Sequence, residues 1–187
     1  MDDQHALKIL GLSGSLRRAS FNTALVRAAA ELAPAGVTIE LGSFDLVPHY
    51  NGDLDTDALR PAAAEAFKQA IAAADAVLIA TPEYNYGVPG ALKNAIDWAS
   101  RPAYRSPFAG KPVALLSASM SVAGGARGQG QLKQVLLGMA SQVFAYPEFL
   151  VPQAQTKFEH GRLTDAATRE HLERLLAAFA AWVRKVA

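Results

Sequence analysis

The sequence predicts an α/β domain in which a parallel β-sheet is wound on both faces by helices. Three observations predict it. Short apolar runs, often β-branched, alternate with longer segments of helical spacing, five of each. The run Ala76-Val77-Leu78-Ile79-Ala80 is apolar at every position rather than every second one, as suits a strand covered on both faces. No internal repeat, low-complexity tract or linker interrupts the alternation, so residues 1–187 read as a single domain of ordinary size.

The strands are expected at residues 7–12, 37–41, 76–81, 113–116 and 143–150, and the helices at 22–32, 62–73, 89–99, 129–140 and 166–186. Pro89 suits the first turn of its helix, where a missing N–H costs nothing. Leu92, Ala95, Ile96 and Ala99 share that helix's inward face, and Lys93 and Asp97 can pair outside. Leu172, Leu175, Leu176, Phe179 and Val183 form one apolar stripe on the last helix. The glycine-rich segment 124–130 reads as a loop between a strand and a helix. Right-handed βαβ units then give a doubly wound, flavodoxin-like five-stranded sheet, order 2-1-3-4-5.

Composition bounds the function. About half the residues are apolar, 51%, so a sizeable core can be buried. The formal net charge of +1 argues against a general nucleic-acid partner. The absence of cysteine excludes disulfides, thiolate nucleophiles and thiolate metal sites. Met1 to Leu7 lacks a signal-peptide pattern and the apolar runs fall far below a membrane span, so the chain reads as soluble and cytoplasmic, with no membrane partner. Metal binding is not expected: the four histidines lack ligand spacing, and Asp53, Asp55 and Asp57 lack the glycine and distal Glu of a calcium loop. Trp98 and Trp182 read as packing residues.

Two loops carry the chemistry. The first strand runs into Gly11-Leu12-Ser13-Gly14-Ser15-Leu16-Arg17-Arg18-Ala19-Ser20-Phe21-Asn22 and then a helix. Hydroxyls, an amide, a guanidinium and the free N–H groups of a helix start make a seat for a phosphate dianion. The spacing is neither Gly-x-Gly-x-x-Gly nor a Walker loop, and serines with an arginine suit a terminal phosphate better than a pyrophosphate. The third strand runs into Pro82-Glu83-Tyr84-Asn85-Tyr86-Gly87, where two tyrosines offer a wall for a planar heterocycle and Asn85, Glu83 and the backbone offer polar contacts.

Ser15-Leu16-Arg17 with Ser20 and Asn22, then Pro82-Glu83-Tyr84-Asn85, then Leu92-Lys93-Asn94-Ala95-Ile96-Asp97-Trp98 resemble the NAD(P)H-dependent FMN reductase family, most closely its quinone and chromate reductase branch. Gly124-Gly125-Ala126-Arg127 and Pro147-Glu148-Phe149 match that branch in order and spacing, and the resemblance runs from Ile9 to the final helix. It implies an enzyme with FMN as cofactor and NADPH or NADH as co-substrate. The acceptor would be a quinone or another small molecule: free flavin, an azo compound or chromate. Ser15, Leu16, Arg17, Ser20, Phe21 and Asn22 would contact FMN at its phosphate end. Pro82, Glu83, Tyr84, Asn85, Tyr86 and Gly87 would line the ring, and Ser117 and Ser119 would lie along the ribityl chain or ring edge. Relatives often carry Ser at the position of Gly87, so one hydroxyl contact to the ring is expected to be missing or replaced by backbone. The family forms dimers or tetramers, which makes Arg127 and Glu148 candidates for interface or rim contacts.

The flavin carries the chemistry, so no catalytic side chain is assigned. One nucleotide site with no second nucleotide domain implies that nicotinamide and acceptor use one space in turn, giving ping-pong kinetics. Two rivals are weaker. A flavodoxin-type electron carrier is usually strongly acidic, and this chain is nearly neutral. A serine hydrolase would use Gly11-Leu12-Ser13-Gly14-Ser15, but the closing glycine is absent and only His49 is placed to serve it. Arg101 and Arg105 read as surface charge, with a 2′-phosphate contact as the alternative.

Overall fold

The computed structural model describes residues 6–186; His5 and most of the segment read for a signal peptide lie outside the described residues. Strands β1 (Leu7–Ser13), β2 (Val37–Leu41), β3 (Ala76–Ala80) and β4 (Pro112–Ala118) pair in parallel. The order is β2-β1-β3-β4, followed by β5 (Gln142–Val143) and β6 (Phe149–Val151), both parallel to β4. Helices α1 (Phe21–Glu31), α2 (Ala62–Ala73), α3 (Gly90–Ala99), α4 (Ala126–Leu137) and α5 (Ala166–Val186) flank the sheet. This is the flavodoxin-like arrangement expected.

Strand alternation explains why the apolar runs are continuous. Ile9, Ala76, Leu78, Ala80, Ala114 and Leu116 pack with α1 and α5 on one face. Leu10, Leu12, Val77, Ile79, Val113 and Leu115 pack with α2, α3 and α4 on the other. Successive side chains point to opposite faces, so both sets must be apolar when helices cover both.

The structure corrects two expectations. The fifth strand is not continuous over 143–150. It breaks between β5 and β6, because Pro147 has no N–H to give the ladder. The Phe144 ring leaves the sheet line to stack on Tyr146, with centroids 5.2 Å apart, and to tilt against Trp182 at 5.1 Å. The glycine-rich segment is not all loop. Gly124 and Gly125 form the turn with φ of +62° and +91°, and α4 begins at Ala126, so Gly128 and Gly130 are helical. A Cβ on Gly128 would stand 3.2 Å from the Glu83 Cα, so this weak helix former is needed where the first turn of α4 presses on the β3 loop. A short hairpin, β7 (Phe158–Glu159) and β8 (Arg162–Leu163), leads into α5 and was not expected.

One sequence motif has a plain structural task. Asn94 Nδ2 and Trp98 Nε1 both donate to the Pro48 carbonyl at 2.8 Å, and Asn94 Oδ1 accepts from Tyr50 N at 2.7 Å. The long loop after β2 is thereby clamped to α3.

Candidate active site

Parallel pairing sets the site's position. Ser13 of β1 lies opposite Ala80 of β3, and Ala80 lies opposite Leu116 of β4. The three following loops therefore leave from one edge, beyond the carboxyl ends of the central strands, where doubly wound sheets bind ligands.

The β1 loop is organised by its own hydroxyls. Ser20 is the N-cap of α1, and its Oγ accepts from Asn22 N at 3.1 Å and Thr23 N at 3.2 Å. Thr23 Oγ1 donates to Ser13 Oγ at 2.8 Å, and Ser15 Oγ accepts from Arg17 N at 3.3 Å. The Arg17 guanidinium has no carboxylate partner among the described residues and lies 5.7 Å from the Phe21 ring centre. The first turn of α1 carries no acidic residue. A helix N-terminus, hydroxyls and an uncommitted guanidinium form an anion seat.

The β3 loop is a two-residue hairpin turn. Tyr84 N donates to Gly87 O at 3.0 Å and Gly87 N to Tyr84 O at 2.9 Å, with φ of +48° at Asn85 and +68° at Tyr86. Asn tolerates that region; for Tyr86 it costs on the order of 1–2 kcal/mol. Contacts from α4 offset the cost. Glu83 accepts from Arg127 Nε at 2.6 Å, Arg127 N at 3.0 Å and Gly128 N at 3.3 Å. This carboxylate caps a helix whose own N-cap, Gly125, has no side chain to do so. Burial pushes the Glu83 carboxyl up, but the Arg127 guanidinium and the two N–H groups outweigh it and hold it below the usual range. The Arg127 guanidinium lies 3.9 Å from the centre of the Tyr86 ring. One turn further on, Gln131 Oε1 accepts from Val88 N at 3.4 Å.

The two loops meet: Ser15 Oγ and Tyr84 Oη are 3.4 Å apart. Leu16, Tyr84 and Tyr86 stand exposed there, as do Met120 and Val122 on the loop after β4. Pro82 is buried, and Asn85 and Gly87 shape the turn.

Three expected contact residues have their side chains committed within the protein. Asn22 is buried, and its Nδ2 donates to Ala118 O while its Oδ1 accepts from Ala118 N, both at 2.9 Å. Its amide pairs with β4 as a neighbouring strand would. Ser117 is fully buried, donating to Gly124 O and accepting from Gln129 Nε2. Glu83 is spent on α4. Ser119 remains half-exposed, with its Oγ 3.1 Å from Ser121 Oγ.

Gln129 and Gln131 carry site geometry that sequence reasoning missed. Gln129 falls where the loop and helix readings overlap and Gln131 lies inside the helix expected over 129–140, and their polarity was the signal. Arg127, offered as a rim candidate, is at the rim; Glu148 pairs with Lys133 at 2.8 Å. Arg101 and Arg105 lie on the connection returning from α3 to the start of β4, at the edge opposite the loops. Neither Ser13 Oγ nor Ser15 Oγ bonds a histidine among the described residues, so no hydrolase couple is present there. No described helix is long and apolar enough to cross a membrane.

An anion seat beside exposed aromatic rings, at the carboxyl edge of a doubly wound parallel sheet, defines a nucleotide-binding α/β protein. The chain belongs to the family described as NADPH-dependent FMN reductase, whose model matches residues 7–156, and it is an oxidoreductase. It is 46% identical over 181 residues to an NAD(P)H-dependent FMN reductase of Pseudomonas aeruginosa, covering 96% of this chain and 97% of the relative. It is 42% identical over 183 residues to a quinone reductase of Escherichia coli, with coverage of 96% and 97%. Among solved structures, the flavoenzyme NAD(P)H:(acceptor) oxidoreductase FerB of Paracoccus denitrificans superposes with a TM-score of 0.86 at 36% identity, over 96% of this chain and 98% of that one.

Proposed function

We propose that the chain is an FMN-dependent enzyme that passes electrons from NADPH or NADH to quinones or other small acceptors. The contact between Ser15 and Tyr84 carries the reading, because it joins an anion seat to an aromatic platform within the reach of one small molecule. The donor set fits FMN: hydroxyls, helix N–H groups and the Arg17 guanidinium for a dianionic phosphate, exposed tyrosines for the ring. When bound, FMN supplies the hydride-accepting and electron-donating chemistry.

The chain's own residues orient it. Ser15, Leu16, Arg17, Ser20 and Phe21 hold the phosphate end, Ser20 by fixing the α1 N-terminus and Phe21 through its N–H and its contact with Arg17. Asn22 acts one step back, by locking the start of α1 to β4. Pro82, Tyr84, Asn85, Tyr86 and Gly87 form the ring wall, and Glu83 fixes that wall to α4. Ser119 takes the ribityl side, and Ser117 shapes its backbone. Arg127 stacks on one face of the Tyr86 ring. Both co-substrates reach the same open rim in turn, which gives ping-pong kinetics. One domain does this work, as a cytoplasmic homodimer or homotetramer.

The test is a visible spectrum with and without FMN, followed by NADPH oxidation with a quinone present. A bound-flavin spectrum with parallel-line kinetics is expected. No flavin uptake at excess FMN would overturn the reading.

A further inference from the structure

A second basic site lies on the other side of the β1 loop. A cavity of about 370 Å³ opens between that loop, α1 and the turn after β2. Arg17, Arg18 and Arg27 all line it. Elsewhere Arg60, Arg127, Arg162, Arg169 and Arg174 each pair with a carboxylate. The three lining arginines have no such partner among the described residues. The only acid in the lining is Asp45, which accepts from the Ser43 hydroxyl. With Arg17 assigned to the flavin phosphate, Arg18 and Arg27 still outnumber the one carboxylate around the hollow, and a second anion relieves their mutual repulsion. Guanidiniums grip phosphate through paired N–H donors, which lysines do not.

Ser13, Ser15, Thr23 and Ser43 add hydroxyls to the lining, and one part of it is apolar. Leu16 is 56% exposed and Leu41 46% exposed, and buried Phe44 forms part of the lining. A phosphate grip beside apolar surface suits a phosphorylated adenosine. The cavity lies toward β2, whereas Tyr84 lies toward β3, with the β1 loop between them. The cavity shares Ser15, Leu16 and Arg17 with the phosphate end of the flavin site, whereas Arg18, Arg27, Leu41 and Phe44 lie outside it, so a ligand gripped by Arg18 and Arg27 would flank the bound FMN.

We infer that Arg27 and Arg18 bind the phosphates on the adenosine half of the nicotinamide co-substrate. This rests on the oxidoreductase reading above. It places the co-substrate's phosphates at the edge where Arg101 and Arg105 are not.

The experiment compares wild type with Arg27→Ala and Arg27→Lys. Three quantities are read: the Kd for FMN, the KM and kcat with NADPH and with NADH, and the calorimetric Kd of adenosine 2′,5′-bisphosphate for the FMN-loaded protein. Arg27→Ala should raise the NADPH KM and the bisphosphate Kd roughly tenfold, as the loss of one charge-assisted contact implies. Both the FMN Kd and kcat should stay unchanged, and Arg27→Lys should recover part of the loss. An NADH KM that stays constant assigns the 2′-phosphate, and one that rises equally assigns the shared pyrophosphate; either supports the site. Unchanged NADPH KM and bisphosphate Kd overturn it. So does an FMN Kd that weakens in parallel, because the cavity is then the flavin phosphate seat itself. Bisphosphate binding needs no turnover, so its failure is distinct from a failure of the enzymatic reading.

Discussion

The β1 loop and the β3 loop meet in one site but are held by opposite means. In the β1 loop, Ser20, Ser13 and Thr23 bond to partners within ten residues of themselves along the chain, as Ser15 does to Arg17 N besides its contact with Tyr84. Asn22 is its long-range tether, reaching β4 across 96 residues. In the β3 loop the backbone sits in a costly left-handed turn, and the contacts that fix it come from α4, about 44 residues on. A local loop keeps its shape as long as its own helix forms. A loop strapped from a distance keeps its shape only while the strap is intact.

Four perturbations sharpen that contrast. The largest should be Asn22→Leu, which cuts the side-chain tether from the start of α1 to β4 and leaves the Ala118 N–H and C=O buried without partners. A loss of about 2–4 kcal/mol in unfolding free energy is expected by denaturant titration. A variant as stable as wild type would mean that the tether is not needed. Next comes Arg17→Ala, which should raise the FMN Kd roughly tenfold to a hundredfold by fluorescence titration while leaving stability near wild type. Unaltered FMN binding would remove Arg17 from the phosphate seat.

Smaller, and on the other loop, is Glu83→Gln. Losing the charge should cost about 1–2 kcal/mol, seen as a lower melting temperature. The sign of its pH dependence follows from the depressed Glu83 pKa. The carboxylate contributes fully above its ordinary value of 4.5, and the contribution is lost as pH falls below that through the folded-state pKa. The stability gap between wild type and Glu83→Gln should therefore close in acid below that point. A gap that widens there would contradict the strap.

The smallest effect is a coupling. A Cβ on Gly87 would stand 2.7 Å from Gln131 Oε1. Gly87→Ala should weaken FMN binding in the wild-type background and do so less when Gln131→Ala makes room. The interaction energy expected from the double-mutant cycle is about 0.5–1 kcal/mol. Strict additivity would show that the two positions do not share that space.

The same contrast explains what the sequence made legible. The β1 loop could be read because hydroxyls, arginines and a helix start act on near neighbours. What it did not disclose was the side-chain partner of Asn22, which lies on distant β4. The partners of Glu83 and Ser117 were hidden for the same reason: Arg127 with Gly128, and Gln129 with Gly124, are fixed only once α4 is docked. The split fifth strand also depends on neighbours, since Pro147 marks a break but α5 supplies the Trp182 against which Phe144 tilts.

What the sequence determined by itself was the alternation of strands and helices, the two-faced burial of the sheet, and the two ligand loops. Each of these is written in periodicity or in bonds between near neighbours. Only the tertiary structure decided which polar side chains at the carboxyl edge remain available to a ligand. A buried donor or acceptor takes whatever partner packing brings to it, and neither partner alone specifies that choice.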